Sequence, residues 1–221
     1  MLTPEEQEAF LESTDKVRQA AEHHLRTHPG LQSVVAFVAN LQRGVSRVAQ
    51  TAVDQGAKLA CKVGCNHCCG ARVEAMAPEV LRIVEEVEAW PIAERERLVR
   101  RLQTHAALLG GEGEWQRAKC PFLADELCSI YEIRPSVCRR AHSLDVTKCQ
   151  EHSPEIPQNL QIVVAAEALM KGTAAAYGNL RFDASGHELG HAVLLALTDP
   201  SAEARWYSGE DVFARHVIDL D

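Results

Sequence analysis

Hydrophobic residues in the first half of the chain recur every three or four positions, which is the spacing of amphipathic helices. The sequence TPEE at positions 3–6 has the form of a helix start, with Thr3 as N-cap, Pro4 in the first turn and Glu6 completing a capping box. It predicts a first helix that runs to about Thr27. After a break at 28–30, an apolar stripe predicts a second helix that ends near Gly56; its members are Val34, Val35, Phe37, Val38, Leu41, Val45 and Val48.

The remaining periodic segments also have helical rather than strand spacing. They predict helices at 77–90, 92–109 with an end at Gly110-Gly111, from about Pro157 to Tyr177, 186–197 and 200–207. The segment 115–150 is irregular apart from a short helix begun by Pro135. We therefore expect a mostly α, single-domain protein with an irregular cysteine-rich centre. Its parts are an N-terminal helical pair (1–58), a cysteine-cluster region (61–149) and C-terminal helices (154–221).

The length and charge of the chain limit the classes of protein to which it can belong. The chain has 221 residues, 46% of them hydrophobic, enough for one sizeable core, and a net charge of -8. No run of Lys and Arg makes the basic surface of a nucleic-acid binder. The N-terminal sequence MLTPEEQEAFLES is acidic, unlike a secretory signal, and no apolar stretch is long enough to cross a bilayer. We expect a cytoplasmic protein that binds neither nucleic acid nor membranes.

All eight cysteines fall in two short segments. Four occupy nine positions (Cys61, Cys65, Cys68, Cys69) and four occupy thirty (Cys120, Cys128, Cys138, Cys149). The cytosol keeps thiols reduced, so these cysteines are available as ligands rather than as disulfides. Clustered thiolates are the ligands of zinc and of iron-sulfur centres. The pattern therefore predicts a metal centre containing zinc or iron, with a four-iron four-sulfur cluster as one form.

The spacing leaves the number of ions open. Cys65 and Cys68 have the two-residue gap of a zinc knuckle, Gly64 permits a tight turn beside them, and Cys61 can share a helical face with Cys65. Adjacent side chains diverge, so Cys69 need not bind the same ion as Cys68. Two ions, or one cluster with bridging sulfurs, are both compatible with the sequence. Further candidate ligands are His67, His142 and His152, and nearby cations that would offset thiolate charge are Arg134, Arg139, Arg140 and Lys148.

The two segments CKVGCNHCCG and CPFLADELCSIYEIRPSVCRR resemble the YkgJ-type cysteine-cluster family. The second segment carries the most specific part of the resemblance, because CPFL, CSIY and RPxxCR occur in the family's order and spacing. The resemblance spans about 61–149 and implies that the eight cysteines chelate zinc or iron. A flagellin lysine methylase resembles the same family, which implies methyl-transfer chemistry as an alternative.

Two other motifs suggest enzymes. Cys61-x3-Cys65-x2-Cys68 has the spacing of radical S-adenosylmethionine enzymes, but that fold needs alternating strands and helices, which this sequence lacks. The sequence HELGH at 187–191 matches the zinc-protease pattern HExxH, with Glu203 or Glu210 available as a third ligand. The preferred prediction is a metal-binding protein without assigned catalysis. The alternatives are an iron-dependent redox or methyl-transfer enzyme, a zinc protease, and a metal-trafficking protein with exchangeable sites.

Overall fold

A computed structural model describes residues 2–109 and 117–214, except for the side chain of Leu109, and most of these residues lie in helices. The helices are α1 Pro4–Thr27, α2 Leu31–Asp54, α3 Ala77–Glu88, α4 Ile92–Leu109, α5 Ser136–Arg140, α6 Val146–Gln150, α7 Leu160–Asn179, α8 Leu189–Thr198 and α9 Ala202–Tyr207. A 3-10 turn spans Tyr131–Ile133, and the strands are β1 Glu74–Met76, β2 Leu123–Ala124, β3 Leu127–Cys128 and β4 Gly186–Glu188. The expectation of a mostly α protein is confirmed. The predicted helix end at Gly110-Gly111 lies outside the described residues.

The predicted start of α1 is confirmed in atomic detail. The amide of Glu6 donates to Thr3 Oγ1 at 3.2 Å, and the amide of Thr3 donates to Glu6 Oε2 at 2.8 Å. This reciprocal pair satisfies two amides that a helix start would otherwise leave unpaired. Because α1 packs along α7, the capped helix also covers one side of the apolar helix α7.

The apolar stripe of α2 faces the protein interior, as its spacing predicted. Val38 and Val45 are completely buried, and they pack with Ala166 of α7. Tyr177, near the end of α7, is also buried, and its hydroxyl donates to the Val34 carbonyl at 2.7 Å. These contacts join α1, α2 and α7 into the layer against which the rest of the chain packs.

The predicted helix at 186–197 is wrong in its first turn. Residues 186–188 form β4, which pairs antiparallel with β1 so that Ala75 lies opposite His187. The Glu188 carboxylate accepts hydrogen bonds from the amides of Gly190 and His191, so α8 begins only after Glu188. The two histidines of HELGH therefore do not share a helical face, which the zinc-protease interpretation requires.

Within the described residues, no helix is both long and apolar enough to span a bilayer. The largest differences from the sequence-based expectations lie in the second cysteine segment. There, the β2–β3 hairpin and α6 form where an irregular chain was expected. Both elements are much shorter than the window of about 11 residues in which helical periodicity is measured, so sequence spacing could not predict them.

Candidate metal centre

The first cysteine segment folds as a series of tight turns. The amide of Cys65 donates to the Lys62 carbonyl at 3.0 Å, and a similar turn closes at Cys69. Gly64 has a φ of 81°, a left-handed conformation that glycine adopts without strain. Cys61 therefore lies in irregular chain and Cys65 closes a turn, so the two do not share the helical face that their spacing allowed. The turns gather the four cysteines of this segment on one compact loop.

A short β-hairpin positions two cysteines of the second segment. Strand β2 pairs with β3, and Leu123 lies opposite Cys128. At the turn, Asp125 and Glu126 have φ values of 49° and 62°, as a two-residue type I′ turn requires. The hairpin reverses the chain so that Cys128 returns toward Cys120, close enough for the charge on one thiol to raise the pKa of the other.

Two short helices carry the last two cysteines. Cys138 lies in α5, which follows Pro135, and Cys149 lies in α6. The side chain of Asp145 accepts from the amide of Thr147 at 2.8 Å and caps the start of α6. The thiol of Cys149 donates to the Asp145 carbonyl at 3.6 Å. The cap thus fixes the backbone that presents Cys149.

Backbone hydrogen bonds join the two cysteine segments directly. The amide of Cys120 donates to the Cys69 carbonyl at 2.7 Å, and the amide of Ala60 donates to the Ser143 carbonyl at 2.8 Å. The side-chain amide of Asn66 donates to the Glu126 carbonyl at 3.0 Å. Segments separated by about fifty residues therefore form one structural unit around the cysteines.

The thiols fall into two neighbourhoods. Burial is the main reason that the pKa of Cys61 is raised, and charge on Cys65, Cys68 and Cys149 raises it further. We call Cys61, Cys65, Cys68 and Cys149 the outer group. Burial likewise dominates the raised pKa of Cys138, with added contributions from Cys120, Cys68 and Cys128. The neighbouring thiols of Cys68, Cys120 and Cys128 raise the pKa of Cys69. We therefore call Cys69, Cys120, Cys128 and Cys138 the inner group.

Cys68 belongs to the outer group but is also close to the thiols of the inner group. A hydrogen bond with the thiol of Cys69 is the main reason that the pKa of Cys68 is lowered and that of Cys69 is raised. The positive charges of Arg117 and Arg134 lower the pKa of Cys68 further. Because a thiolate is the form that binds metal, these cations prepare Cys68 as a ligand.

The predicted neutralising cations have different roles. The positive charge of Arg134 lowers the pKa of Cys68 and counteracts the rise in the pKa of Cys128. Its guanidinium lies 3.7 Å from the centroid of the Tyr131 ring. The Arg139 guanidinium instead donates to the Arg134 carbonyl at 2.9 Å and to the Ser46 hydroxyl at 3.0 Å, which ties α5 to α2. Arg140 and Lys148 face carboxylates, at 4.0 Å from Glu167 and 3.7 Å from Glu151 respectively.

His142 uses both ring nitrogens in the protein structure. Its Nε2 accepts from the Asn159 amide at 2.9 Å, so its Nδ1 is the protonated nitrogen and donates to the Arg140 carbonyl at 2.8 Å. Neither nitrogen retains a free lone pair for a metal ion. His142 therefore supports the backbone after α5 and does not fit the role of a ligand.

A buried carboxylate supports the inner group from behind. Glu79 is 3% exposed, and its Oε1 accepts from the Ser136 amide at 2.6 Å and from the Ser136 hydroxyl at 2.7 Å. Its other oxygen accepts from the amide of Met76 at 3.3 Å. Since Ser136 precedes Cys138 by two residues in α5, Glu79 fixes the helix that presents this thiol. Glu79 has no sequence signal of its own beyond its place in the first turn of α3.

A basic groove of about 560 Å³ leads to Cys120. Its basic residues are Arg97, Arg100 and Arg101 of α4 together with Lys119. Two carboxylates from the hairpin turn also line it, and one of them, Glu126, pairs with Lys119 at 2.5 Å. The groove connects solvent to an inner-group thiol and presents an excess of positive charge there.

Within the described residues, no three thiols lie within 4.8 Å of one another. Among the described residues, a single set of three His, Cys, Asp or Glu side chains has its ligand atoms all within 4.8 Å, and it contains no cysteine. It consists of Asp183, His187 and Asp211, two of which the sequence did not indicate. Tetrahedral coordination with Zn–S bonds of about 2.3 Å needs sulfurs about 3.8 Å apart. Metal binding would therefore draw the thiols closer together.

Comparison with known proteins identifies the cysteine region. No curated protein and no solved structure matches the chain. Residues 60–160 match the model of the CxxCxxCC family, whose description is "putative zinc- or iron-chelating domain". This range contains all eight cysteines and agrees with the resemblance to the YkgJ-type family that the cysteine motifs indicated. Residues 60–160 of this chain are therefore similar to the CxxCxxCC family over just under half of the chain.

Proposed function

We propose that this chain is a metal-binding protein whose eight cysteines are the ligands of zinc or iron. The observation that carries the proposal is that two cysteine segments, distant in sequence, are joined by the Cys120–Cys69 backbone hydrogen bond and gather their thiols in one region. Thiolates are the ligands that zinc and iron-sulfur centres share. The metal would complete this unit by holding the two segments together.

The two thiol groups support two centres with four thiolates each. The outer group would bind one centre at the surface, where Cys61 is exposed. The inner group would bind the other beside the hydrophobic core, against which Cys120 and Cys128 pack. A four-thiolate zinc site carries a net charge of about -2, so the positive charges of Arg117 and Arg134 favour occupancy.

Single Cys→Ser variants test this arrangement. Cys138→Ser removes an inner ligand and Cys149→Ser removes an outer one. We expect each variant to lose one of two bound metal centres, measured by elemental analysis, and to melt at a lower temperature than the wild-type protein. The matched control is Thr147→Ala, an exposed residue of α6 that lies beside Cys149; it should keep the full metal content.

Two outcomes would contradict the assignment. Full metal content in either Cys→Ser variant would show that the replaced cysteine is not a ligand. Loss of all metal from both variants would indicate one cluster with bridging sulfurs instead of two centres. Cys68, whose thiol is near both groups, is the residue best placed to bridge.

The basic groove favours a second candidate function, an iron-dependent redox or methyl-transfer enzyme. Arg97, Arg100, Arg101 and Lys119 would attract an anionic substrate toward Cys120. Purification without a His-tag under exclusion of oxygen separates the candidates. A colourless protein containing zinc supports a structural centre. A brown protein containing iron and inorganic sulfide that binds S-adenosylmethionine supports the enzyme.

A further inference from the structure

Three side chains outside the cysteine region converge near the C-terminal end of the described chain. His187 Nε2 lies 2.6 Å from Asp183 Oδ2 and 3.9 Å from Asp211 Oδ1. All three ligand atoms lie within 4.8 Å of one another. The side chains of His187 and Asp183 are only 6% and 11% exposed, whereas that of Asp211 is 49% exposed. One imidazole and two carboxylates thus form a cluster that is mostly buried at His187 and Asp183 and open to solvent at Asp211.

The β1–β4 ribbon separates these three side chains from the cysteines. Successive side chains of a strand point to opposite faces. Glu188 lies 3.3 Å from His105, and its charge affects the pKa of Cys120, so it is on the face toward the cysteine centre. Its neighbour His187 contacts Asp183 on the other face. An ion bound by Asp183, His187 and Asp211 would therefore be held independently of the thiols.

The surrounding contacts hold the side chains of Asp183 and His187 in place. The Ser185 amide donates to Asp183 Oδ1 at 3.1 Å, which leaves Oδ2 directed toward His187. The Trp206 indole donates to the Asp183 carbonyl at 2.9 Å. The Phe213 ring packs against His187, with ring centroids 5.4 Å apart. Hydrogen bonds and apolar contacts to the ligating side chains orient the ligands of metal sites in this way.

We propose that Asp183, His187 and Asp211 bind a divalent first-row transition-metal ion. Two carboxylates face the same imidazole nitrogen, which concentrates negative charge where a cation would lie. Tetrahedral or octahedral coordination with bonds of about 2.1 Å separates neighbouring ligand atoms by about 3.0 to 3.4 Å. The observed separations of 2.6 and 3.9 Å bracket this range, so small side-chain movements complete the site. The oxygen and imidazole ligands select ions such as Mn²⁺ or Zn²⁺ without requiring sulfur.

Mn²⁺ is the probe that distinguishes this site from the cysteine centre, because Mn²⁺ prefers oxygen ligands to thiolates. The full chain is first loaded with zinc, and zinc that is not held by the thiolates is removed with a mild chelator. Mn²⁺ binding is then followed by the loss of the free-ion electron paramagnetic resonance signal. We expect about one Mn²⁺ per chain and a rise in melting temperature with Mn²⁺ concentration. Cys149→Ser should bind Mn²⁺ as the wild-type protein does, so failure of the cysteine proposal leaves this test intact.

Two variants remove carboxylate ligands. Asp211→Asn changes the more exposed ligand and should leave the fold intact, whereas Asp183→Asn changes a buried one. Each should weaken Mn²⁺ affinity at least about tenfold, as loss of a metal-site partner does, and abolish the Mn²⁺-dependent rise in melting temperature. Asp54→Asn, at the exposed end of α2, is the matched control and should bind normally. Absence of Mn²⁺ binding in the wild-type protein, or unchanged affinity in Asp211→Asn, would overturn the proposal.

Discussion

Single polar residues inside the core determine how firmly the thiols are held. Glu79 is the main example, because one buried carboxylate accepts hydrogen bonds from α5 and from the start of its own helix. Buried polar groups of this kind are costly when a partner is removed, since the remaining donors lose water as well as their acceptor. A residue distant from Cys138 in sequence can thus fix the position of that thiol.

Glu79→Ala tests this role. The change leaves both donors of Ser136 unpaired in a dry environment, and we expect the free energy of unfolding to fall by about 3 kcal/mol. Metal should also dissociate faster from the inner group, because α5 then presents Cys138 less rigidly. Urea denaturation and the rate of metal transfer to a chelator measure the two effects. Glu86→Ala, on the exposed face of the same helix, should change neither; equal behaviour of the two variants would remove Glu79 from this role.

The cysteines could be predicted at this scale, and their supporting residues could not. Close spacing and the CPFL, CSIY and RPxxCR motifs identify the thiols directly in the sequence. Glu79 and Ser136, in contrast, meet across 57 residues, and neither forms a local pattern. Asp211 joins His187 only through tertiary folding. Sequence spacing reports local geometry, so contacts made by distant single residues were not predictable.

At the scale of elements, the crossing of α1 and α7 depends on one small residue. A Cβ atom at Gly172 would lie 2.5 Å from the Thr14 carbonyl oxygen and 2.7 Å from Val17 Cβ. Both distances are well below van der Waals contact, and one involves backbone that cannot rotate away. The absence of a side chain at Gly172 is therefore what allows the two helices to approach so closely.

Gly172→Ala should force these helices apart. We expect a loss of about 2 kcal/mol or more in the free energy of unfolding, in the upper part of the range for overpacking a core. Gly178→Ala in the same helix is the matched control, because its Cβ would meet nothing within 4 Å. The control should be neutral or stabilising by up to about 1 kcal/mol, since alanine favours helix over glycine. Equal stability of the two variants, measured in urea, would contradict the close crossing.

Long helices were predictable from the sequence because many residues contribute to each pattern. The bounds of α1 and α4 agree with the expected ones, since a capping box or a proline marks each start. Strand β4 was not predictable, because its three residues pair with a strand more than one hundred positions earlier. A short strand depends on its partner rather than on its own sequence.

At the scale of the whole molecule, the helical layer and the cysteine unit depend on different interactions. The helices α1, α2 and α7 are joined by apolar packing along their length. The cysteine segments are turns and short elements linked by backbone hydrogen bonds, and they contribute fewer buried apolar side chains, such as Phe122 and Ile130, to the core. Regions with few buried apolar contacts open with less free energy than core helices. The stability of the cysteine unit should therefore depend on metal more strongly than that of the helical layer.

Metal removal tests this division. Treatment with a strong chelator under reducing conditions should accelerate amide hydrogen exchange in 60–71 and 117–150 while α7 remains protected. Helical circular dichroism should change little, and reloading with zinc should restore slow exchange. Uniform acceleration across the chain, including α7, would show instead that the whole fold requires the metal.

The mostly α class followed from the sequence, whereas the relation between the parts did not. Periodicity assigns a type to each segment but does not say which distant segments pair. The joining of Cys69 to Cys120 and of β1 to β4 required the folded structure. The boundaries of the three predicted parts of the chain remain a prediction.

The pairing of β1 with β4 also makes this protein sensitive to insertions. Loops normally tolerate an extra residue, because loop length costs little free energy. One residue inserted into 184–186 that slipped the strand by one position would exchange the faces of His187 and Glu188. The imidazole would then face the cysteines, and the cap of α8 would be lost. The length of this turn is therefore constrained on both faces of the ribbon, by the contacts of His187 on one face and by those of Glu188 on the other.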